Sequence, residues 1–509
     1  MSGEIIETLN NHSHVNTMVG NITLTNSQQS ALNKILVFLE SEDSRIFILK
    51  GYAGTGKTTM VKAIINEMTQ RHCSYTLLAS TGRAAKVISD ATRYTEKDDS
   101  GEAHEIFTGA KTIHSLIYTF SDINQDLDLF GQANGNSEIG TDKGIKLQFS
   151  LTHRDDDSSD MIYIIDESSM ISDTIDKSLS QAEYGTDGRL MRDLLDYDHK
   201  GKFLFIGDAC QLPPVNQTFS PALSKEYIKA TYDIDAEEAE LTEVVRQADG
   251  NDIPLSAARI RRLFFSEPIG PIAKFPFRGY KNIHILTNED EMLNMYLDCI
   301  RGKDYSAATM IVMSNKTVTS VSNIIRPSLG FRGNILSVDD LLLVTQNNMV
   351  SGLMNGDLVK VKQIGMREKR AGLSFVFVEV ESLATGKVYG QLLVEDIVYS
   401  GGTNITQDQQ THLFIDYHER MKEQGIKQRS SRYKDGMRTD PYLNALRCVF
   451  GYALTCHKSQ GGEWDKVFLM VPRGLPYNNP RSYAYQWVYT AMTRAKKELY
   501  VLDDYWICN

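Results

Sequence analysis

The sequence predicts an α/β protein with two doubly wound parallel-sheet cores, each carrying an inserted small β element. Three observations lead there. Apolar runs of strand length alternate with helical patterns over residues 24–208 and again from residue 282, the pattern of parallel sheets covered by helices. It breaks over residues 116–160 and 336–444 into polar, turn-rich sequence with short strands, and then resumes. The chain of 509 residues is also too long for one core, and its length sets a prior of about three or four domains.

Composition narrows the class. Apolar residues make up 41% and charged residues 23%, and no apolar run approaches the roughly 20 residues that a membrane helix needs. A soluble, cytoplasmic protein with no membrane contact is expected. Residues 1–21 are polar and lack the basic start and apolar middle of a signal peptide, so they read as a flexible lead. The six cysteines (Cys73, Cys210, Cys299, Cys448, Cys456, Cys508) form no C-x-x-C pair, which argues against zinc or a disulfide framework. A net charge of −11 counts against indiscriminate nucleic-acid binding, because that binding is driven by Lys and Arg. Any such contact must be local.

Taken in order, residues 24–39 read as a capped amphipathic helix with Leu32, Ile35, Leu36 and Leu39 at helical spacing. The apolar strand from Ile46 runs into Gly51-Tyr52-Ala53-Gly54-Thr55-Gly56-Lys57-Thr58-Thr59, followed by the helix formers Met60 to Ile65. Gly51-x-x-x-x-Gly56-Lys57-Thr58 is the phosphate-loop spacing, in which backbone N–H groups wrap phosphates at a helix N-terminus. Lys57 would neutralise the outer phosphates and Thr58 would hold Mg²⁺. The plain alternative is a glycine-rich turn of the kind common in α/β proteins, but the strand before it and the helix after it are the context the motif requires.

A second strand-to-helix unit spans residues 76–88, and further buried strands end at Asp166-Glu167 and at Gly207-Asp208. In a parallel sheet the ligand sits at the carboxyl ends of the strands, where all these motifs fall. Residues 116–160 read as an inserted β element, with short apolar pieces around Phe130 and Phe149. A second core begins near Asn282. Alternating strands over residues 336–399, with Asn355-Gly356 as a hairpin turn signal, predict a small β-barrel. Residues 401–441 are polar with a basic run over 427–434, and read equally as a solvated excursion or as a functional arm.

The acidic partner decides the reaction. An aspartate ending a buried strand holds Mg²⁺, and the next glutamate accepts a proton from the attacking water, so Asp166-Glu167 points to hydrolysis. Gln211, in the polar tip Gly207 to Val215, has the chemistry of a γ-phosphate sensor, although a Pro-rich turn is the plainer reading. Arg246 and Arg494 are candidates to stabilise transition-state charge, a role worth about 10³–10⁵ in rate.

As a set, these residues resemble the superfamily 1B DNA helicases of the RecD-like and Dda-like kind. Gln28 is similar to their adenine-reading glutamine, Ser80 to Lys86 to motif Ia, and Lys111 to Ser115 to motif Ib. Asp166 to Met170 resembles motif II, Gly207 to Val215 motif III, and Arg246 lies in a segment like motif IV. Leu454 to Glu463, with His457-Lys458-Ser459-Gln460-Gly461, resembles motif V, and Arg494 motif VI.

The resemblance implies two RecA-like domains that clamp ATP and Mg²⁺ and step 5′→3′ along single-stranded DNA, unwinding duplexes. It assigns nucleotide binding to Gln28, Gly51, Gly54, Thr55, Gly56, Lys57, Thr58 and Thr59, the metal to Thr58 and Asp166, and catalysis to Lys57, Asp166, Glu167, Gln211, Arg246 and Arg494. DNA binding falls to Thr81, Arg83, His114, Thr455, His457 and Lys458. Residues 22–115 and 161–255 would form the first RecA-like domain and 116–160 a strand-separating pin. Residues 256–335 and 445–509 would form the second RecA-like domain, and 336–444 an SH3-like insertion with a charged arm. The pin is long and carries Asp155-Asp156-Asp157 and Asp160, so its DNA contact is expected at the aromatic tips Phe130 or Phe149. Expected partners are single-stranded and forked DNA, with single-strand-binding or replication proteins beside them, and the chain is expected to act as a monomer. Two alternatives share the motifs: an Upf-like RNA helicase, and a DNA-stimulated ATPase that displaces proteins without unwinding.

Overall fold

The computed structural model describes residues 18–19, 22–97, 103–106, 109–124, 127, 145–154, 161–175, 182–185, 187–245, 250–266, 272–333 and 335–509. Arg246, Phe130, the acidic run 155–160 and nearly all of the lead lie outside the described residues.

The first core opens with α1 (Asn26–Glu40). Thr25 accepts the Gln28 N–H and Gln28 Oε1 accepts the Thr25 N–H, a reciprocal capping box that satisfies two helix-end donors. Then follow β1 (Ile46–Gly51), α2 (Lys57–Gln70), β2 (Tyr75–Ala79), α3 (Gly82–Thr92), β3 (Lys111–Thr112) and α4 (Ile113–Ile117). An insertion contributes β4 (Tyr118–Ile123) and β5 (Leu147–Leu151). The core continues with β6 (Ile162–Asp166), while β7 (Ala182–Tyr184) returns to the insertion, and α5 (Leu190–Tyr197), β8 (Lys202–Gly207), α6 (Lys225–Tyr232) and β9 (Ala236–Leu241) complete the core. Its six strands pair parallel in the order β9-β1-β8-β6-β2-β3.

Both faces of this sheet are covered, which explains why its strands read as continuous apolar runs rather than alternating ones. Phe47, Leu49, Ile164, Leu204 and Ile206 pack on one face, and Ile46, Ile48, Tyr163, Ile165, Phe203 and Phe205 on the other.

The second core contains α7 (Ile253–Phe265), β10 (Ile283–Leu286), α8 (Glu289–Ile300), β11 (Ala308–Val312) and α9 (Asn315–Ser328). Its insertion holds β12 (Leu341–Val344), β13 (Leu358–Arg370), β14 (Leu373–Ser382), β15 (Val388–Val394), α10 (Gln407–Glu423) and α11 (Ser431–Thr439). The chain ends with β16 (Cys448–Phe450), β17 (Leu454–Thr455), β18 (Trp464–Leu469), α12 (Arg481–Met492) and β19 (Ala495–Leu502). A parallel sheet runs β10-β19-β18-β11-β17, and an antiparallel one β15-β14-β13-β12-β16.

Three local outcomes differ from the expectation. The inserted β element recruits β7 from beyond residue 160, pairing Ala182–Tyr184 beside Leu147–Phe149. The antiparallel sheet takes its edge strand β16 from beyond residue 444. Asn355-Gly356 does form a turn, with Asp357 N–H bonded to Met354 O and Gly356 at φ +99°, but it closes a longer loop rather than a two-residue hairpin.

The polar stretch 401–441 is neither bare nor solvated throughout. It folds into α10 and α11, whose Phe414, Tyr417, Met421, Tyr433 and Met437 are buried in one cluster with Ile123, Leu127 and Ile145 of the other insertion. Polar bonds seam the contact: Gln407 Nε2 donates to Ile145 O at 2.7 Å, the Leu127 N–H to Gln428 Oε1 at 2.9 Å, and Lys434 Nζ to Ser121 O. Helical periodicity had been masked by the many charged residues on the outer faces. Among the described residues, no helix is long and apolar enough to cross a membrane.

Candidate active site

The phosphate loop joins β1 to α2, with Gly54 at φ +80° and Gly56 at φ +82°, conformations open to glycine because it lacks a Cβ. Gln28 closes the loop from α1: its Nε2 donates to Thr55 O at 3.0 Å, and a Cβ on Gly56 would lie 2.4 Å from that nitrogen. The predicted glutamine therefore does reach the loop. Lys57 Nζ, at the start of α2, donates to Gly51 O at 2.9 Å and Tyr52 O at 3.3 Å. Those carbonyls hold the ammonium at the mouth of the loop, where an arriving phosphate would compete for it.

Asp166 ends β6 beside Ala79 of β2. Burial, together with the charge of Glu167, holds its carboxyl well above the usual carboxylate range, and Lys57 partly offsets this. A carboxylate strained in that direction favours a cation. With Thr58 it supplies hard oxygen donors of the sort Mg²⁺ takes in company with phosphates. Among the described residues no group of three His, Cys, Asp or Glu forms a metal cage, so the residues fit an ion shared with nucleotide better than one held by protein alone.

Glu167 sits at φ 51°, ψ 40°, left-handed backbone that costs a non-glycine residue about 1–3 kcal/mol. Ser80 Oγ fixes it by donating to Glu167 O at 3.0 Å, which ties the end of β2 directly to the turn after β6. Glu167 Oε2 and Gln211 Oε1 are buried with no hydrogen-bond partner among the described residues. A buried orphan acceptor of this kind costs about 1–3 kcal/mol, which a water donating to it would recover. Asp208, at the tip of β8, is buried and its carboxyl is pushed up by that burial.

Arg494 is 5% exposed and turned into its own core, where Nε donates to Thr490 O at 3.0 Å and Nη1 to Gly462 O at 3.4 Å. In this arrangement it does not meet the loop, and reaching phosphate would take a movement of the second core or of its side chain.

Contacts that the sequence did not flag cross between the cores. α12 lies against the loop 208–212: Gln486 Nε2 donates to Gln211 O at 3.2 Å, Thr490 Oγ1 accepts the Leu212 N–H at 2.8 Å, and Tyr489 OH donates to Asp208 Oδ2 at 2.9 Å. Tyr489, Thr490 and Gln486 share one helix face at i, i+3 and i+4, a spacing legible only once the partner loop is known.

The residues assigned to DNA follow the strands on one side of each sheet, β2 and β3 in the first and β17 in the second. Thr81 caps α3 after β2, and His114 lies on α4 after the edge strand β3. Thr455 ends the edge strand β17 of the second sheet, and His457 follows it. Arg83 leaves its own core: its guanidinium stacks 5.0 Å over the Trp464 ring and donates to Gly356 O at 3.3 Å. Burial lowers its pKa to about 10, Asp357 opposing and Arg494 adding to the shift. Lys458 Nζ bonds Asn355 Oδ1 on the same turn, and burial lowers its pKa to about 8. The His114 ring packs edge-on to Tyr184 at 5.2 Å, Tyr184 stacks on Phe149 at 4.9 Å, and Phe149 meets Phe120 at 5.8 Å. Burial depresses the His114 pKa to about 4, so the ring is neutral and anchors the insertion through its aromatic face rather than offering positive charge. Phe149, one of the two expected tips, is thus part of this ladder.

Residues 36–217 match the AAA domain family, and residues 450–502 the UvrD-like helicase C-terminal domain. An uncharacterized protein of Methanocaldococcus jannaschii is 24% identical over 493 residues, covering 91% of this chain and 37% of that protein's length. An uncharacterized protein of Acanthamoeba polyphaga mimivirus is 23% identical over 542 residues, covering 93% of this chain and 98% of its own. Among solved structures, Bacteroides Pif1 helicase in complex with ADP-AlF3 and single-stranded DNA aligns with a TM-score of 0.46 and 16% identity, over 95% of this chain and 93% of that one. Candida albicans Pif1 helicase aligns with a TM-score of 0.39 and 16% identity, over 95% and 96%. The AAA-domain match lies over the phosphate loop and the helicase C-terminal match over the second core, in the order in which the motifs run.

Proposed function

We propose that the chain is an ATP- and Mg²⁺-dependent DNA helicase that translocates 5′→3′ on single-stranded DNA and unwinds forked duplexes. One observation carries the reading: hydrolysis and strand-binding candidates occupy different strands of the same sheets. Lys57, Asp166 and Gln211 follow the inner strands β1, β6 and β8, whereas Thr81 and His114 follow β2 and the edge strand β3. Thr455 lies at the equivalent edge of the second sheet. A nucleotide between the cores would thus change their spacing while the strand lies across both edges, which is what stepping requires. In this reading the ion held by Thr58 and Asp166 screens phosphate charge, and Glu167 takes the proton of the attacking water. The RecA-like cores are 22–115 with 161–255 and 256–335 with 445–509, and the segments 116–160 and 336–444 form the pin and the second insertion, each joined by one strand, Ala182–Tyr184 and Cys448–Phe450, from beyond its bounds. Arg246 and Arg494 complete the charge stabilisation once the cores close.

Forked duplexes with a single 5′ or 3′ tail test the polarity. Unwinding is expected from the 5′ tail, and activity confined to the 3′ tail overturns the direction. Intact forks alongside displacement of bound protein would show a translocase that does not unwind, and stimulation of ATPase by RNA rather than DNA would point to an RNA enzyme.

The basic contacts give a pH dependence. With its pKa lowered to about 8, Lys458 loses its charge as pH rises through that value, and a bound phosphate would hold the proton on. Affinity for a single-stranded oligonucleotide is therefore expected to weaken as pH rises past about 8, and the Lys458→Gln variant to flatten that limb. An unchanged slope in the variant would assign the effect elsewhere.

A further inference from the structure

Tyr489 makes a bond that none of its neighbours on α12 makes. Its hydroxyl donates to Asp208 Oδ2 and, on the other side, accepts the Ala53 N–H at 2.9 Å. Ala53 belongs to the phosphate loop of the first core, Asp208 to the tip of β8, and Tyr489 to the second core. One buried oxygen thus joins two loops of the first core to the second core. Gln486 and Thr490 touch only the loop 208–212. The side chain is 2% exposed, and burial together with the Asp208 charge raises the Tyr489 pKa well above that of an ordinary phenol. The hydroxyl keeps its proton, which fixes it as donor to the carboxylate and leaves its lone pair for the amide.

Resting on the ATP-driven reading above, we propose that Tyr489 is a positioning residue that couples the phosphate loop to the second core: nucleotide entering the loop disturbs the Ala53 amide, and the tyrosine passes that change to α12 and hence to Arg494. The route is short. α12 ends at Met492, and Arg494 is held by Thr490 O, one residue beyond Tyr489. An amide N–H in a loop that wraps phosphate cannot stay with the phenol and also serve a phosphate oxygen without movement. In this role the tyrosine touches no substrate and acts through Asp208, Ala53 and the helix.

The chain supplies its own reporter. Its three tryptophans, Trp464, Trp487 and Trp506, all lie in the second core, and Trp487 is buried two residues from Tyr489. Binding of a non-hydrolysable ATP analogue to the wild-type protein, without DNA, is expected to shift tryptophan emission. Tyr489→Phe keeps the ring but removes both bonds. It is expected to bind the analogue within about threefold of wild type, to lose the emission shift, and to lower single-strand-stimulated ATPase about tenfold or more, the scale of one lost hydrogen bond to a charged group. Thr490→Val removes a bond across the same interface without touching the phosphate loop, and is expected to retain the shift and most of the stimulation. The proposal is overturned by an emission shift in Tyr489→Phe equal to wild type, by no shift in the wild type, or by an equal loss in Thr490→Val, which would reduce the tyrosine to ordinary interface packing. A wild-type ATPase that no single strand stimulates would refute the helicase reading instead, and the emission measurement would still judge the tyrosine.

Discussion

Glu167→Gln is expected to lower ATP turnover by about 10²–10⁴ or more while leaving ATP-dependent binding of single-stranded DNA intact. The amide has the shape of the carboxylate but cannot accept a proton, so it removes the general base and little else. The surroundings favour a clean outcome. Asp166 and Lys57 keep their places, the Ser80 bond goes to the Glu167 backbone rather than to its side chain, and the strained φ of 51° is no worse for glutamine. Steady-state ATPase beside oligonucleotide binding with and without an ATP analogue checks it. Loss of analogue binding or of the fold would show that Glu167 holds the site together rather than working in it, and retained turnover would remove its role.

Lys57→Ala is expected to abolish both nucleotide binding and turnover. Its ammonium is the cation that the loop presents, and removing one partner of a close charge pair costs about 2–5 kcal/mol, roughly thirtyfold or more in affinity. The fold should tolerate the change, because the Lys57 ammonium bonds only the backbone carbonyls of Gly51 and Tyr52 and lies outside the buried apolar clusters. Titration with a fluorescent nucleotide distinguishes the two variants: Glu167→Gln binds and stalls, and Lys57→Ala does not bind. Tight binding by Lys57→Ala would mean that the loop amides and the metal carry the phosphates without it.

Much of this was legible in the sequence, because the informative elements are local. Strands buried on both faces announce themselves as unbroken apolar runs, as at Ile162 to Ile165, and a loop that must wrap phosphate needs its glycines at fixed spacing. Gln28 was singled out by its resemblance to a family glutamine ahead of the loop, and its side chain does bond the loop at Thr55 O. What stayed hidden depends on the far side of a contact. Nothing in the sequence around Tyr489 says that its hydroxyl meets Ala53, 436 positions away. The stowed guanidinium of Arg494 and the aromatic anchoring of His114 are likewise set by tertiary surroundings, and both residues look equally suited to phosphate in sequence. Among the charged residues of 401–441, the apolar face of α10 becomes recognisable only when Ile123 and Ile145 supply its other half.

That last contact has a topological consequence. The two cores touch through α12, and the two insertions touch through the cluster of Phe414, Tyr417 and Tyr433 with Ile123 and Ile145, with Arg429 Nε 3.2 Å from Asp122 across the seam. Core, insertion, insertion and core thus form a closed ring of contacts. The two cores therefore cannot swing apart on the hinge at α12 alone, because the Phe414–Ile145 cluster and the Arg429–Asp122 pair on the opposite side of the ring must part as well.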